Sequence, residues 1–254
     1  MTFDLFRAMR PYMIAAVTTA HPQADGYLGV LLYTFGLLLL LFLLMNLDRR
    51  FREYMGRSLV RPFNFFADIR DRRLIPNAQT TLLAFILSGA FGIAIATLMR
   101  GFDHDSGAAN YFSAFLPRSI YTPATGLSLN YAELLFWCTS ATFIAIELLA
   151  IALRFSAMFI RGRYYFADAF NVSVWSLTPL SFLLVYDLVL PRMDMAPSTA
   201  LLSLVIMGII LLWSYVRFLK GAGVLFDIYP TKIYGYGAIV LALLVVVVIV
   251  ILQN

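Results

Sequence analysis

The chain has 254 residues, of which 61% are hydrophobic and only 13% are charged, and its mean hydropathy is +0.83. Soluble domains have about 45–50% apolar and about 25% charged residues, so this composition argues against a soluble enzyme and predicts an all-α, polytopic membrane protein. One cysteine excludes a disulfide within the chain, and two histidines leave little material for a metal site. The net charge of +5 does not point to nucleic acid, because most of the excess lies in one basic stretch that suits anionic lipid.

Six apolar stretches are long enough to cross a hydrocarbon core of about 30 Å as helices. They lie at 27–46, 79–99, 131–153, 170–190, 198–216 and 234–252. The predicted fold is therefore a bundle of six transmembrane helices with additional amphipathic helices at the membrane surface. The predicted organisation is an amphipathic, non-cytoplasmic segment at 1–26, a transmembrane helix at 27–46, a basic cytoplasmic connection at 47–78 and a five-span membrane domain at 79–254.

The distribution of Lys and Arg predicts the orientation of this bundle. Fourteen of the 19 basic side chains lie in three alternate connections, and the 47–78 connection alone contains eight arginines. Because cytoplasmic connections are enriched in Lys and Arg, we expect 47–78 inside the cytoplasm and both termini outside it. Short loops and arginine-rich connections favour a bacterial inner membrane.

The 59–75 segment has the pattern of a basic amphipathic helix. Its apolar edge consists of Phe63, Phe66 and Ile69. Bulky apolar residues beside several cations are typical of a helix that lies on an anionic membrane surface. A linker helix packed under the bundle is the alternative. The arginines expected to contact anionic lipid are Arg57, Arg61, Arg70, Arg72 and Arg73.

Three stretches of the chain resemble the Yip (Ypt/Rab-interacting protein) domain family. They are RPFNFF with DIRD at 61–71, the proline-containing helix AFNV…LTPL at 169–180, and WSYVRFLKG at 213–221 with FDIYP at 226–230. The resemblance covers about 59–252, and it implies a five-span domain with a cytoplasmic N-terminal side and a non-cytoplasmic C-terminus. The 27–46 helix is an addition to that pattern. Eukaryotic members act in vesicle traffic with Rab GTPases, whereas the function of most prokaryotic members is unknown.

The candidate polar site inside the membrane consists of Glu147, Pro179 and Thr178. Glu147 lies seven residues before Arg154, about 10 Å deep at about 1.5 Å per residue, and a charge at that depth is a functional signal. A hydrogen bond between helices and a role in proton or substrate movement are both open for Glu147. Pro179 frees one backbone carbonyl near mid-membrane, as occurs in packed kinked helices and in transporters. Ser88, Gly92 and Ala96 form a small-residue stripe that suits close helix packing.

No catalytic residues, cofactor or metal ligands are predicted. Asp103, His104 and Asp105 are adjacent in a loop, but adjacent residues rarely converge on one ion, and no Cys or His cluster supports them. We therefore expect a non-enzymatic membrane scaffold or an accessory subunit of a membrane complex, with lipids and other membrane-protein subunits as partners. The alternative is a small transporter or channel that uses Glu147 and the Pro179 kink.

Overall fold

The computed structural model describes residues 22–71, 77–104, 131–159, 165–190 and 197–253. These residues are helical, with no strand among them, which confirms the predicted all-α class. The elements in chain order are α1 (Pro22–Leu47), α2 (Arg49–Val60), α3 (Pro62–Arg70), α4 (Asn77–His104), α5 (Tyr131–Phe159), α6 (Phe166–Ser176), a 3₁₀ helix (Thr178–Phe182), α7 (Leu183–Tyr186), α8 (Pro197–Leu225) and α9 (Pro230–Gln253). Residues 1–21 of the predicted N-terminal segment (1–26), the arginines Arg72 and Arg73, and the 105–130 loop with Asp105 lie outside the described residues.

Four helices are long and apolar enough to cross a membrane: α1, α4, α5 and α8. If α6 and the bent 178–186 segment together form one span, the number of membrane-spanning segments is five. Helix α9 contains the predicted sixth span, but its described apolar part, Thr231–Leu243, is shorter. The helices are thus compatible with membrane integration, and the full count of six spans stays a prediction.

The predicted fourth span is not one continuous helix. Helix α6 ends at Ser176, and the chain continues as the 3₁₀ helix and α7 with a bend of 41°. Pro179 explains the break, because proline lacks an N–H group and its ring clashes with the carbonyl four residues earlier. The predicted kink at Pro179 is therefore present, and it divides the 170–190 stretch into two helical segments.

The prediction of one helix over 59–75 is also wrong. Helix α2 ends at Val60, and Arg61 leaves the helical conformation with φ −128° and ψ 60°. A residue before proline is disfavoured in the α region, and Pro62 then begins α3 at a position where its missing N–H costs nothing. The segment is therefore two helices separated by one non-helical residue, Arg61.

Most of the apolar edge of the 59–75 segment faces protein. Phe66 and Ile69 are buried against the bundle, where α3 packs on α8 and α6, whereas Phe63 is 53% exposed. This arrangement favours the linker helix packed under the bundle. A position of the whole segment on the membrane surface is not confirmed.

Helix α4 forms the centre of the bundle and packs mainly against α5. A methyl group at Gly92 would lie 2.8 Å from the backbone nitrogen and Cα of Thr139, so the two helices approach closely at this point. Ser88 and Ala96 are also fully buried. The small-residue stripe is therefore used for packing within the chain.

Candidate functional site

Two prolines each remove the donor of one backbone carbonyl. In an α-helix the N–H of a residue donates to the carbonyl four residues earlier. Pro62 therefore leaves the carbonyl of Ser58 without its helical partner, and Pro179 does the same for Trp175. Both Ser58 and Trp175 are completely buried, so their carbonyl oxygens need other donors.

A single side chain from α8 supplies a donor to both carbonyls. Nη2 of Arg217 donates to the Ser58 oxygen at 2.7 Å and to the Trp175 oxygen at 3.1 Å. The hydroxyl of Thr178 also donates to the Trp175 oxygen, at 3.0 Å. We call Arg217 with these two carbonyls the arginine clamp. It joins the ends of α2 and α6, both interrupted next to a proline, to the middle of the long helix α8.

The arginine clamp uses only part of the guanidinium group. Arg217 is 3% exposed, and its Nε and Nη1 have no hydrogen-bond partner within the part of the chain that the structure describes. No carboxylate among those residues forms an ion pair with it. The carbonyl dipoles therefore stabilise the buried charge through charge-assisted hydrogen bonds, which are stronger than neutral ones.

Trp175, whose carbonyl belongs to the clamp, lies at the centre of an aromatic cluster. Its ring centroid lies 5.1 Å from that of Phe65, 5.7 Å from Phe51 and 6.3 Å from Tyr54. These partners come from α2 and α3, on both sides of the break at Arg61. Aromatic pairs at such separations contribute about 0.5–1.5 kcal/mol beyond their buried area, so the cluster holds the two short helices against α6.

The polar edge of Trp175 is bound to α4. Its indole Nε1 donates to Thr80 Oγ1 at 3.1 Å, and the Thr80 hydroxyl donates to Asn171 Oδ1 at 2.6 Å. All three side chains are buried. This chain of hydrogen bonds fixes the rotation of α6 against α4, and with it the direction of the Trp175 carbonyl.

Gly221 allows α3, α6 and α8 to meet one turn beyond the clamp. A methyl group at Gly221 would lie 2.8 Å from Cγ1 of Val172 and 3.2 Å from the ring of Phe66. Both neighbours are fully buried, so a methyl group here would have to displace packed side chains. The stretches at 61–71, 169–180 and 213–221 thus contact one another around the clamp.

The structure separates the residues of the predicted polar site. Thr178 and Pro179 are buried beside the clamp. Glu147 lies in α5, is partly exposed, and forms no hydrogen bond or ion pair with the described residues. Its predicted roles, as a polar contact between helices or in proton movement, stay predictions.

The described arginines of the predicted lipid-contact set lie in α2, at the break and in α3. Arg57 forms an ion pair with Asp68. Arg70 pairs with Asp71 at 3.2 Å and with Asp227 at 3.5 Å, and Arg61 is exposed. Arg57 and Arg70 therefore connect helices as well as presenting positive charge, a role that the amphipathic pattern alone does not predict.

The clamp residue was not among the sequence-based candidates. Arg217 was placed outside the fifth span, because the apolar window ends at Val216, but α8 continues to Leu225. One signal is available in the sequence: Pro62 and Pro179 each free a carbonyl, and the chain directly after the fifth apolar stretch contains two cations, Arg217 and Lys220. No group of three or more His, Cys, Asp or Glu side chains in the described ranges could hold a metal ion.

Comparison with known proteins gives no match. No family model matches the chain, and no curated protein or solved structure is significantly similar to it. The fold and the clamp define a coarse class, an all-helical protein whose apolar helices are compatible with a membrane.

Proposed function

We propose that the protein is a non-enzymatic scaffold in the membrane, or an accessory subunit of a membrane complex, that binds lipids and partner membrane proteins. The observation that carries this proposal is the outward face of α5. Only 11% of the most apolar window of α5 is buried by the residues that the structure describes, and Phe136, Trp137 and Phe155 are at least 60% exposed among them. The exposed apolar face of α5 is a surface on which helices of another subunit could pack.

The arginine clamp supports the same proposal. Its donors end on backbone carbonyls of the chain itself, and Thr80, Asn171 and Trp175 bind one another. Polar groups used in this way hold helices in fixed positions. A fixed framework is what a scaffold requires.

We place the protein in a bacterial inner membrane, with both termini outside the cytoplasm, on the strength of the asymmetric distribution of Lys and Arg. We also propose the relationship to the Yip domain family. Its support is that the three similar stretches contact one another around Gly221. Cysteine labelling from each side of the membrane tests the orientation, and labelling of a cysteine at position 70 only from outside would reverse it.

Photo-crosslinking tests the scaffold proposal. A photoreactive amino acid replaces Ile144, which is 57% exposed on α5, or Ile146, which is 3% exposed on the same helix. We expect discrete protein adducts in native membranes from position 144 and none from position 146. Adducts to lipid alone at 144, and at Leu148 one turn further, would contradict partner binding.

A small transporter or channel is the second candidate function. The observation in its favour is the bent pair at 166–186, followed by Asp187, which is completely buried with both carboxylate oxygens unpartnered among the described residues. Broken helices and buried carboxylates occur in transporters. If the protein in proteoliposomes carried a proton or ion flux that Glu147→Gln abolished, this candidate would replace the scaffold.

A further inference from the structure

A pocket of about 430 Å³ lies where α8 ends and α9 begins, with α3 as its third wall. This volume is within the range of about 300–1,000 Å³ that is usual for small-molecule sites. The residues that matter for its chemistry are Phe63, Arg70, Lys220, Asp227, Tyr229 and Tyr234. None of the groups in the arginine clamp lines it.

The turn after α8 creates the pocket. The N–H of Ile228 donates to the Gly223 oxygen at 2.9 Å, and Asp227 has φ 54°. This is the left-handed ending of a helix in which the chain reverses immediately, and Asp tolerates it better than most residues. Because α9 begins only three residues after Asp227, at Pro230, a wedge remains between the two helices.

The charges in the pocket leave one cation without an ion pair among the described residues. Arg70 Nη1 lies 3.5 Å from Asp227 Oδ1, so these two side chains neutralise each other. Lys220 has no ion pair within the described ranges. Arg70 also pairs with Asp71 at 3.2 Å, so these four side chains carry no net charge together, but Lys220 offers its ammonium group to a ligand.

The rest of the wall suits a ligand with an apolar part. Phe63 is 53% exposed and Tyr229 is 75% exposed at the rim, whereas Tyr234 is 37% exposed. Tyrosines at the end of apolar helices are typical of the membrane–water boundary, where the ring meets acyl chains and the hydroxyl meets headgroups. The pocket thus combines a cation, hydroxyl donors and an apolar rim.

We propose that this pocket binds the headgroup of one anionic phospholipid, with Lys220 contacting the phosphate and Phe63 contacting the upper acyl chains. Basic pockets between membrane helices bind such headgroups on the cytoplasmic side. The inference rests on the membrane location and lipid binding of the proposed function, and it assigns the lipid to one site.

The test uses the full chain, purified in neutral detergent and stripped of lipid. Phosphatidylglycerol, phosphatidylcholine with the same acyl chains, and glycerol 3-phosphate are compared by thermal unfolding and by native mass spectrometry. The variants are Lys220→Gln, its charge-retaining partner Lys220→Arg, and Lys232→Gln. Lys232 is the matched control because it is the only other lysine of the chain, is exposed on α9, and does not line the pocket.

We expect phosphatidylglycerol alone to stabilise the wild-type protein and Lys232→Gln. Binding by Lys220→Gln should be about fivefold weaker, as expected when one cation is removed from an anionic headgroup, and Lys220→Arg should restore most of it. If Lys220→Gln and Lys232→Gln weakened phosphatidylglycerol binding equally, the lipid would not bind specifically at this pocket. General binding of lipid to the protein would then remain. Equal effects of the two lipids, or full stabilisation by glycerol 3-phosphate, would also overturn the proposal. The crosslinking from position 144 tests partner binding independently of all these results.

Discussion

Arg217 and Asp187 are both ionisable side chains that the protein buries almost completely, at 3% and 0% exposure, but their surroundings differ. Arg217 donates to two carbonyls that prolines have freed, and the side chain of Trp175, which supplies one of them, packs in an aromatic cluster. Neither carboxylate oxygen of Asp187 has a partner among the described residues. The comparison teaches that the carbonyls freed by these two prolines serve as acceptors for a buried cation, whereas no donor among the described residues serves the buried Asp187.

Replacing Arg217 has the largest expected effect. Arg217→Met leaves the carbonyls of Ser58 and Trp175 with fewer donors, and each buried unsatisfied group costs about 1–3 kcal/mol. Relief of the buried charge offsets part of this cost, so we expect a loss of about 2–4 kcal/mol in the free energy of unfolding, measured by reversible SDS titration in mixed micelles. Lys232→Met is the exposed control and should change the same quantity little. If Arg217→Met were as stable as the wild type, the clamp would not stabilise the fold, and the contrast with Asp187 would fail.

Gly221→Ala tests the packing next to the clamp. The new methyl group would have to displace Val172 and Phe66, which are fully buried. Overpacking of this kind costs about 1–3 kcal/mol. Gly208→Ala is the matched control on α8, because nothing lies within 4 Å of its added methyl group. Alanine favours helix by up to about 1 kcal/mol, so Gly208→Ala should be neutral or stabilising. If Gly221→Ala and Gly208→Ala had similar stability, the helices would not pack tightly around Gly221.

The smallest effect is expected at Asp187. Because its carboxylate has no described partner, Asp187→Leu removes a costly buried polar group, and we expect unchanged stability or a gain of up to about 1 kcal/mol. Asp187→Asn keeps the shape and separates the effect of charge from that of packing. A loss above about 1 kcal/mol in both variants, in the same SDS titration, would mean that Asp187 has a partner and that the contrast with Arg217 is false.

The helical class followed directly from the sequence, because runs of about 20 apolar residues leave few alternatives in lipid. The freed carbonyl near Pro179 was also predicted, since the missing N–H of proline is a local property. The stripe of Ser88, Gly92 and Ala96 correctly indicated close packing within the chain. All these features depend on residues that are near one another in the sequence.

The partner of the freed carbonyls could not be predicted in the same way. Arg217 is separated from Ser58 by 159 residues and from Trp175 by 42, and no local pattern encodes such contacts. A hydropathy window also ends a span at the first cation, so Arg217 was counted as part of a connection. The break at Arg61 was missed because the apolar spacing of 59–75 continues through Pro62, although proline chemistry disfavours a continuous helix there.

A double-mutant cycle between Arg217→Met and Pro179→Ala tests the clamp most directly. Alanine at position 179 restores an N–H that donates to the Trp175 carbonyl, so Arg217→Met should cost less in the Pro179→Ala background than in the wild type. We expect a coupling free energy of at least about 1 kcal/mol in the SDS titration, since residues that share a partner are not additive. Costs that add within about 0.5 kcal/mol would contradict the claim that Arg217 replaces the donor that Pro179 removes.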